Sequence, residues 1–174
     1  MSSILIIDGH DEQASGRFET DIRPGLPQDT EIEVVQGAVA ARRRLTETDP
    51  PIVVVEHLVV EPVKLELPPM DPAEVLERLN RGEKVTISPT GLSGATINEV
   101  IQPAYALLPE FIKRCPKAGF IIVSHGKGIG VGKDLPKYKA FPEVLGIFGW
   151  ISSKGTAGRI LELIRSRLGG KPRR

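Results

Sequence analysis

Ile4-Leu5-Ile6-Ile7-Asp8-Gly9-His10 places four apolar residues, three of them β-branched, before an acid, a glycine and a histidine. A run of that length and composition reads as a strand buried on both faces that ends in a polar loop. Ile52-Val53-Val54-Val55 stops the same way at Glu56-His57, and Phe120-Ile121-Ile122-Val123 stops at Ser124-His125-Gly126. Three apolar strands with polar carboxyl ends predict a parallel sheet covered by helices, in which chemistry gathers at those ends.

Outward from these strands, Glu31 to Val35 alternates as a more exposed strand. Val39 to Leu45 predicts a short helix with Arg42-Arg43-Arg44 on its solvated side. Thr48-Asp49-Pro50-Pro51 ends it, because proline lacks the N–H and restricts its predecessor. Ile97, Ile101, Leu108 and Ile112 stand at roughly helical spacing with Pro103 and Pro109 among them, which predicts a kinked or broken helix over 97–114. Val144 to Ile151 reads as the last strand. Thr156 to Leu168 is the cleanest amphipathic helix: Ile160, Leu161, Ile164 and Leu168 form its stripe, and Gly169-Gly170 its stop. The alternation predicts an α/β, doubly wound five-stranded parallel sheet with right-handed crossovers.

Two stretches break the pattern, and much of the Pro and Gly falls in them. Residues 61–93 carry Pro62, Pro68, Pro69, Pro72 and Pro89 around one helical piece, Asp71 to Arg81, and read as an insertion after the third strand. Residues 125–143 show no helical periodicity and carry Gly126, Lys127, Gly128, Gly130, Gly132 and Lys133. The expected organisation is one domain, 1–174, with the 61–93 insertion and a basic tail at 169–174.

Composition bounds the function. The chain has 174 residues, with 23 Lys+Arg against 22 Asp+Glu, a formal net charge of +1. One core can serve that length, and so even a balance carries no nucleic-acid footprint. The longest nearly apolar run, Pro50 to Val60, falls well short of the roughly 20 residues of a membrane span and contains Glu56 and His57. Ser2 and Ser3 lead into the first strand without a basic leader, and the single Cys115 has no disulfide partner within the chain. A cytoplasmic protein that contacts neither membrane nor nucleic acid is expected.

Asp8, Glu56 and Ser124 close three adjacent strands, and Lys154 follows the last one. Acid, acid, hydroxyl and ammonium in that order resemble the receiver domains of two-component response regulators. Ile4 to His10 is similar to the first strand and its acidic loop, and Val53-Val54-Val55-Glu56 to the phosphoacceptor strand. Ile121-Ile122-Val123-Ser124 resembles the hydroxyl strand, and Trp150-Ile151-Ser152-Ser153-Lys154 the lysine strand. The resemblance covers about residues 3–60 and 94–168, and implies a flavodoxin-like strand order 2-1-3-4-5. It also implies a cleft in which an acidic pair holds Mg²⁺, an aspartate takes a phosphoryl group, and a hydroxyl and a lysine receive it. Hard cations want carboxylate oxygens, and phosphoryl transfer needs charge neutralisation above all.

The chain departs from that pattern at two positions. Glu56 stands at the phosphoacceptor position, one methylene too long, and Gly9 replaces the second metal-binding acid. Asp8 alone remains for a metal, so Mg²⁺ is expected to bind poorly and no cofactor is expected. The implied function is a degenerate or pseudo-receiver, not an enzyme, that signals by protein–protein interaction. Its partner would be a histidine kinase, another signalling protein or a second copy of itself. No output domain of recognisable size follows Leu168, which points to the same route. Glu56 facing Lys154 reads either as a structural ion pair or as an imitation of the phosphorylated state.

A rival class is an α/β enzyme or nucleotide- or phosphate-binding protein that uses the Gly126–Lys133 loop with Asp8 and Glu56. Glycines let backbone N–H groups approach an anion, but Asp134 after Lys133 breaks the Walker spacing. His10, His57 and His125 border the expected cleft and read first as exposed loop residues. Cys115 reads as a small buried thiol.

Overall fold

The computed structural model describes residues 3–9, 13–65, 73, 76–77, 80–81, 96–124, 131–149 and 154–169. The chain divides into two compact units, Met1–Glu61 with Ile101–Arg174, and Pro62–Val100.

In the larger unit β1 (Ser3–Asp8), β2 (Glu31–Gln36), β3 (Ile52–Glu56), β6 (Gly119–Ser124) and β7 (Val144–Gly149) form one sheet in the order β2-β1-β3-β6-β7, with every neighbouring pair parallel. Counting only its own strands, that is 2-1-3-4-5. β4 (Leu58–Leu65) and β5 (Thr96–Pro103) pair separately as a two-stranded sheet after β3. Helices among the described residues of this unit are α1 (Gln13–Arg17), α2 (Gly37–Glu47), α3 (Ala104–Arg114), α4 (Val131–Tyr138) and α5 (Lys154–Arg167). α1 continues into a π-helical turn at Phe18–Ile22 and a 3₁₀ turn at Arg23–Gly25.

The apolar runs are strands because both of their faces are covered. Alternate residues of β1, β3 and β6 point to opposite sides. Leu5, Ile7, Val53, Val55, Phe120 and Ile122 pack with Ala41 and Leu45 of α2, Leu108 and Phe111 of α3, and Tyr138 of α4. Ile4, Ile6, Ile52, Val54, Ile121 and Val123 pack on the other side with Ala14, Phe18, Ile22, Ile160 and Ile164. Full burial contributes roughly 1.5–3 kcal/mol per large aliphatic side chain, which offsets the backbone entropy of about 1–2 kcal/mol per residue where both faces are covered. β2 and β7 lie at the edges, which explains why Glu31 to Val35 alternates.

Gly37 joins β2 to α2 without a loop. Its φ is +72°, and a Cβ there would lie 3.0 Å from the Val60 carbonyl oxygen, so a side chain is disfavoured on both counts. Pro103 has extended backbone (φ −64°, ψ 139°) and caps α3, while the Ala104 N–H donates to the His57 carbonyl at 2.7 Å.

Three expectations are corrected. Residues 97–114 are not one kinked helix: β5 runs to Pro103, where the ring ends the strand and opens the helix at once, so β-branched Ile97, Val100 and Ile101 belong to the strand. Residues 125–143 contain α4, which apolar spacing hid because Tyr138 is buried while Leu135 is exposed. The last strand ends at Gly149, Trp150–Ser153 lie outside the described residues, and Lys154 begins α5. Within the expected helical piece 71–81, Ala73, Leu76, Glu77 and Asn80 are helical. The arginine triplet is divided: Arg43 is exposed, Arg42 bridges Glu61 and Glu110, and Arg44 pairs with Glu33 and Glu47.

Candidate functional site

Register brings the strand ends together. Ile7 pairs with Val55 and Glu56 with Val123, so Asp8, Glu56 and Ser124 close three neighbouring strands at the carboxyl end of the sheet. All three are buried, at 3%, 4% and 5% exposure. Buried polar groups must find partners. The Gly9 backbone N–H donates to Glu56 Oε2 at 2.7 Å, and the Ser15 N–H donates to Asp8 Oδ1 at 2.9 Å. Asp8 thereby satisfies a first-turn amide of α1.

Gly9 does more than omit an acid. A Cβ at this position would overlap the Leu58 carbonyl oxygen and come 2.9 Å from Glu56 Oε2. The backbone passes so close to Glu56 and Leu58 that only glycine fits, and that same approach delivers the N–H to the longer side chain of Glu56. A metal-binding acid at position 9 has neither a side chain nor room for one. With Asp8 Oδ1 already engaged, these residues do not fit the Mg²⁺ site that the cleft would imply. Among the described residues no group of three or more His, Cys, Asp or Glu side chains could hold a metal ion.

The neighbouring residue overturns a second expectation. His57 is not an exposed loop residue; it is 3% exposed. Its N–H donates to the Val123 carbonyl at 2.7 Å, and its Nδ1 lies 2.7 Å from the Tyr138 hydroxyl. The Tyr105 ring packs edge-on against the Tyr138 ring, with centroids 5.7 Å apart. His57 Nε2 lies 3.6 Å from Asp134 Oδ2, whose other oxygen pairs with Lys137 Nζ at 2.9 Å. Lys137 in turn donates to the Tyr105 hydroxyl at 2.8 Å and lies 4.2 Å from that ring's centroid. Burial holds the His57 imidazole below its usual pKa against the opposing pull of Asp134. Burial likewise pushes the Tyr138 phenol up, while hydrogen bonds to Tyr105 and then Asp134 raise Lys137. Asp134, Lys137 and Tyr138 share one face of α4 at the i, i+3, i+4 spacing, the one sequence signal that could have found this cluster.

Other expected site residues fall elsewhere. His10, His125, Gly126, Lys127, Gly128, Gly130 and residues 170–174 lie outside the described residues, while Gly132 and an exposed Lys133 belong to the first turn of α4. Lys154 is placed by its backbone alone, at the start of α5.

No protein-family model and no curated protein matches the sequence. Solved structures do. The signal receiver domain of an HD domain-containing protein from Pseudomonas fluorescens Pf-5 matches at TM-score 0.55 and 15% identity, over 97% of this chain and 94% of that one. The fold is that of the receiver domains. A response regulator from Burkholderia pseudomallei, solved with a phosphorylated aspartic acid, calcium ion and citrate, matches at TM-score 0.53 and 9% identity, over 97% of this chain and 69% of that one. A member of a family of streptococcal redox sensors evolved from two-component response regulators matches at TM-score 0.56 and 9% identity, over all of this chain and 57% of that one. The strand-end acids described above therefore lie at the carboxyl ends of strands in a sheet of receiver-like order.

Cys115 lies apart from that cleft. It is fully buried, its Sγ donates to Asp49 Oδ1 at 3.1 Å, and burial followed by the Asp49 carboxylate pushes its pKa up to about 12. Because the thiolate is the reactive form, native protein near pH 8 is expected to react with a thiol reagent at least ~10³-fold more slowly than urea-unfolded protein. Equal rates would contradict the assigned burial.

Proposed function

We propose that this chain is a receiver-like signalling module that acts through a protein partner and does not accept a phosphoryl group. The observation that carries this reading is the Glu56 carboxylate, buried and bound by the Gly9 N–H at 2.7 Å. A phosphoacceptor must present an oxygen to the donor beside a metal that neutralises charge, with the reacting atoms held to within about 0.5 Å. Glu56 is displaced by a methylene and engaged by backbone, and the acid that would share the metal is Gly9. What remains of the receiver is its surface, so signalling by contact is the use the fold still supports. The redox sensing named for the streptococcal neighbour is not carried over, since Cys115 is buried and protonated.

Incubation with a small phosphodonor and Mg²⁺, followed by intact-mass measurement, is expected to show no added phosphoryl group on the native chain. Stoichiometric phosphorylation removed by Glu56→Gln would sink the proposal. The rival nucleotide- or phosphate-binding reading predicts thermal stabilisation by a nucleotide alone, and the present reading predicts none.

A further inference from the structure

We infer that α4 is a releasable segment whose docking is gated by protonation of His57. The inference is independent of the phosphorylation reading.

α4 cannot hold itself. It has 8 residues with Gly132 and Pro136 among them, whereas isolated helices shorter than about 12–15 residues are marginal in water. Pro136 also removes the bond to the Gly132 carbonyl. From Lys133 onward only Tyr138 is buried, while Lys133, Leu135, Pro136 and Lys137 are exposed and Asp134 is half-buried. From Lys133 onward docking therefore rests on one ring and its polar partners.

Those partners depend on where one proton sits. The Tyr138 hydroxyl lies 2.7 Å from His57 Nδ1 and satisfies its own proton by donating it to that nitrogen. That arrangement requires the neutral imidazole to carry its proton on Nε2, the nitrogen that faces Asp134. A second proton on His57 turns Nδ1 into a donor. The phenol oxygen then faces a donor, and its own proton loses that acceptor in a fully buried site, the costly case for a hydrogen bond. Release of α4 returns both groups to water. Among the described residues the charged and titratable groups around His57 are Asp134, Lys137 and Tyr138 from α4 and Tyr105 from α3, while Glu56 precedes it on β3 and β6 offers the Val123 carbonyl. Asp134 opposes release by attracting the imidazolium, but it leaves the Tyr138 proton without a partner. Since His57 directly follows Glu56, the same strand end serves the cleft and this latch.

The test is residue-resolved amide hydrogen exchange at about pH 7.5 and about pH 5.5, corrected for intrinsic chemistry, on the native chain and on His57→Phe/Tyr138→Phe. With a free imidazole near 6.5, linkage allows the α4 opening constant to rise by at most about tenfold over that interval. A severalfold rise confined to α4, absent from β3 and β6 and abolished in the double variant, is expected, with His57 titrating below about 6.5 by NMR. No rise, a rise shared by the sheet, the same rise in the double variant, or His57 titrating at or above that value would each overturn the inference.

Discussion

Gly9→Asp, the substitution that puts a second acid beside Asp8, is expected to destabilise the protein by about 3 kcal/mol or more and to create no Mg²⁺ site. The Cβ alone causes most of the damage. It meets the Leu58 carbonyl oxygen, which is backbone and cannot rotate away, and it crowds Glu56 Oε2 at 2.9 Å. Inserting an atom into packed structure typically costs about 1–3 kcal/mol. Moving the Gly9 N–H off a buried carboxylate removes a charge-assisted bond worth about 1.5–3 kcal/mol. Gly9→Ala should therefore lose nearly as much as Gly9→Asp, and the aspartate adds repulsion from Asp8 and Glu56. For a chain of this size about 3 kcal/mol corresponds to roughly 6–12 °C in Tm. Thermal unfolding with and without Mg²⁺ checks both halves. Stability of Gly9→Ala within about 0.5 kcal/mol of the native chain, or stabilisation of Gly9→Asp by Mg²⁺, would refute this account. Glu56→Asp need not be benign either, because the shorter carboxylate withdraws from the Gly9 amide. Gly9 and Glu56 are thus two halves of one contact between residues 47 apart in sequence.

That separation explains why the strands were legible in the sequence while the site's chemistry was only half so. Ile4–Ile7, Ile52–Val55 and Phe120–Val123 declare themselves because an interior parallel strand is covered on both faces and must be apolar throughout. Their polar ends then place Asp8, Glu56 and Ser124 side by side. β5 is harder, since Thr96–Pro103 pairs with β4 outside the main sheet and its apolar residues fall by chance at spacings that also suit a helix. α4 is harder still, because it has only 8 residues, is interrupted by Gly132 and Pro136, and leaves Leu135 exposed while Tyr138 is buried. His57 follows an acid and precedes Leu58, and its identity does not show whether the ring turns to water or inward. The decision belongs to Tyr138, 81 residues away.

Replacing His57 by phenylalanine should accordingly cost more than the loss of one ring nitrogen. The variant leaves the Tyr138 hydroxyl buried without its acceptor, a penalty of about 1–3 kcal/mol. Tyr138→Phe leaves His57 Nδ1 unsatisfied and should cost about 1–2 kcal/mol, with Asp134 still beside the ring. His57→Phe/Tyr138→Phe removes both orphans, so its loss should fall short of the summed single losses by roughly 1–2 kcal/mol. The pH dependence has a fixed sign. Burial lowers the folded-state pKa of His57, so the unfolded chain takes up the proton first. The stabilisation is present in full above the unfolded value of about 6.5 and is lost as pH falls from there through the lower folded value, by at most about 1.4 kcal/mol per pH unit. Asp134 narrows that window without reversing it, because desolvation is the larger effect. Urea unfolding at about pH 7.5 and about pH 5.5 should show a steeper acid loss in the native chain than in the double variant, which retains every other titrating group including His10 and His125. Additive single losses would mean that the two rings are not partners. An equal acid slope in both proteins would mean that His57 is already charged when folded.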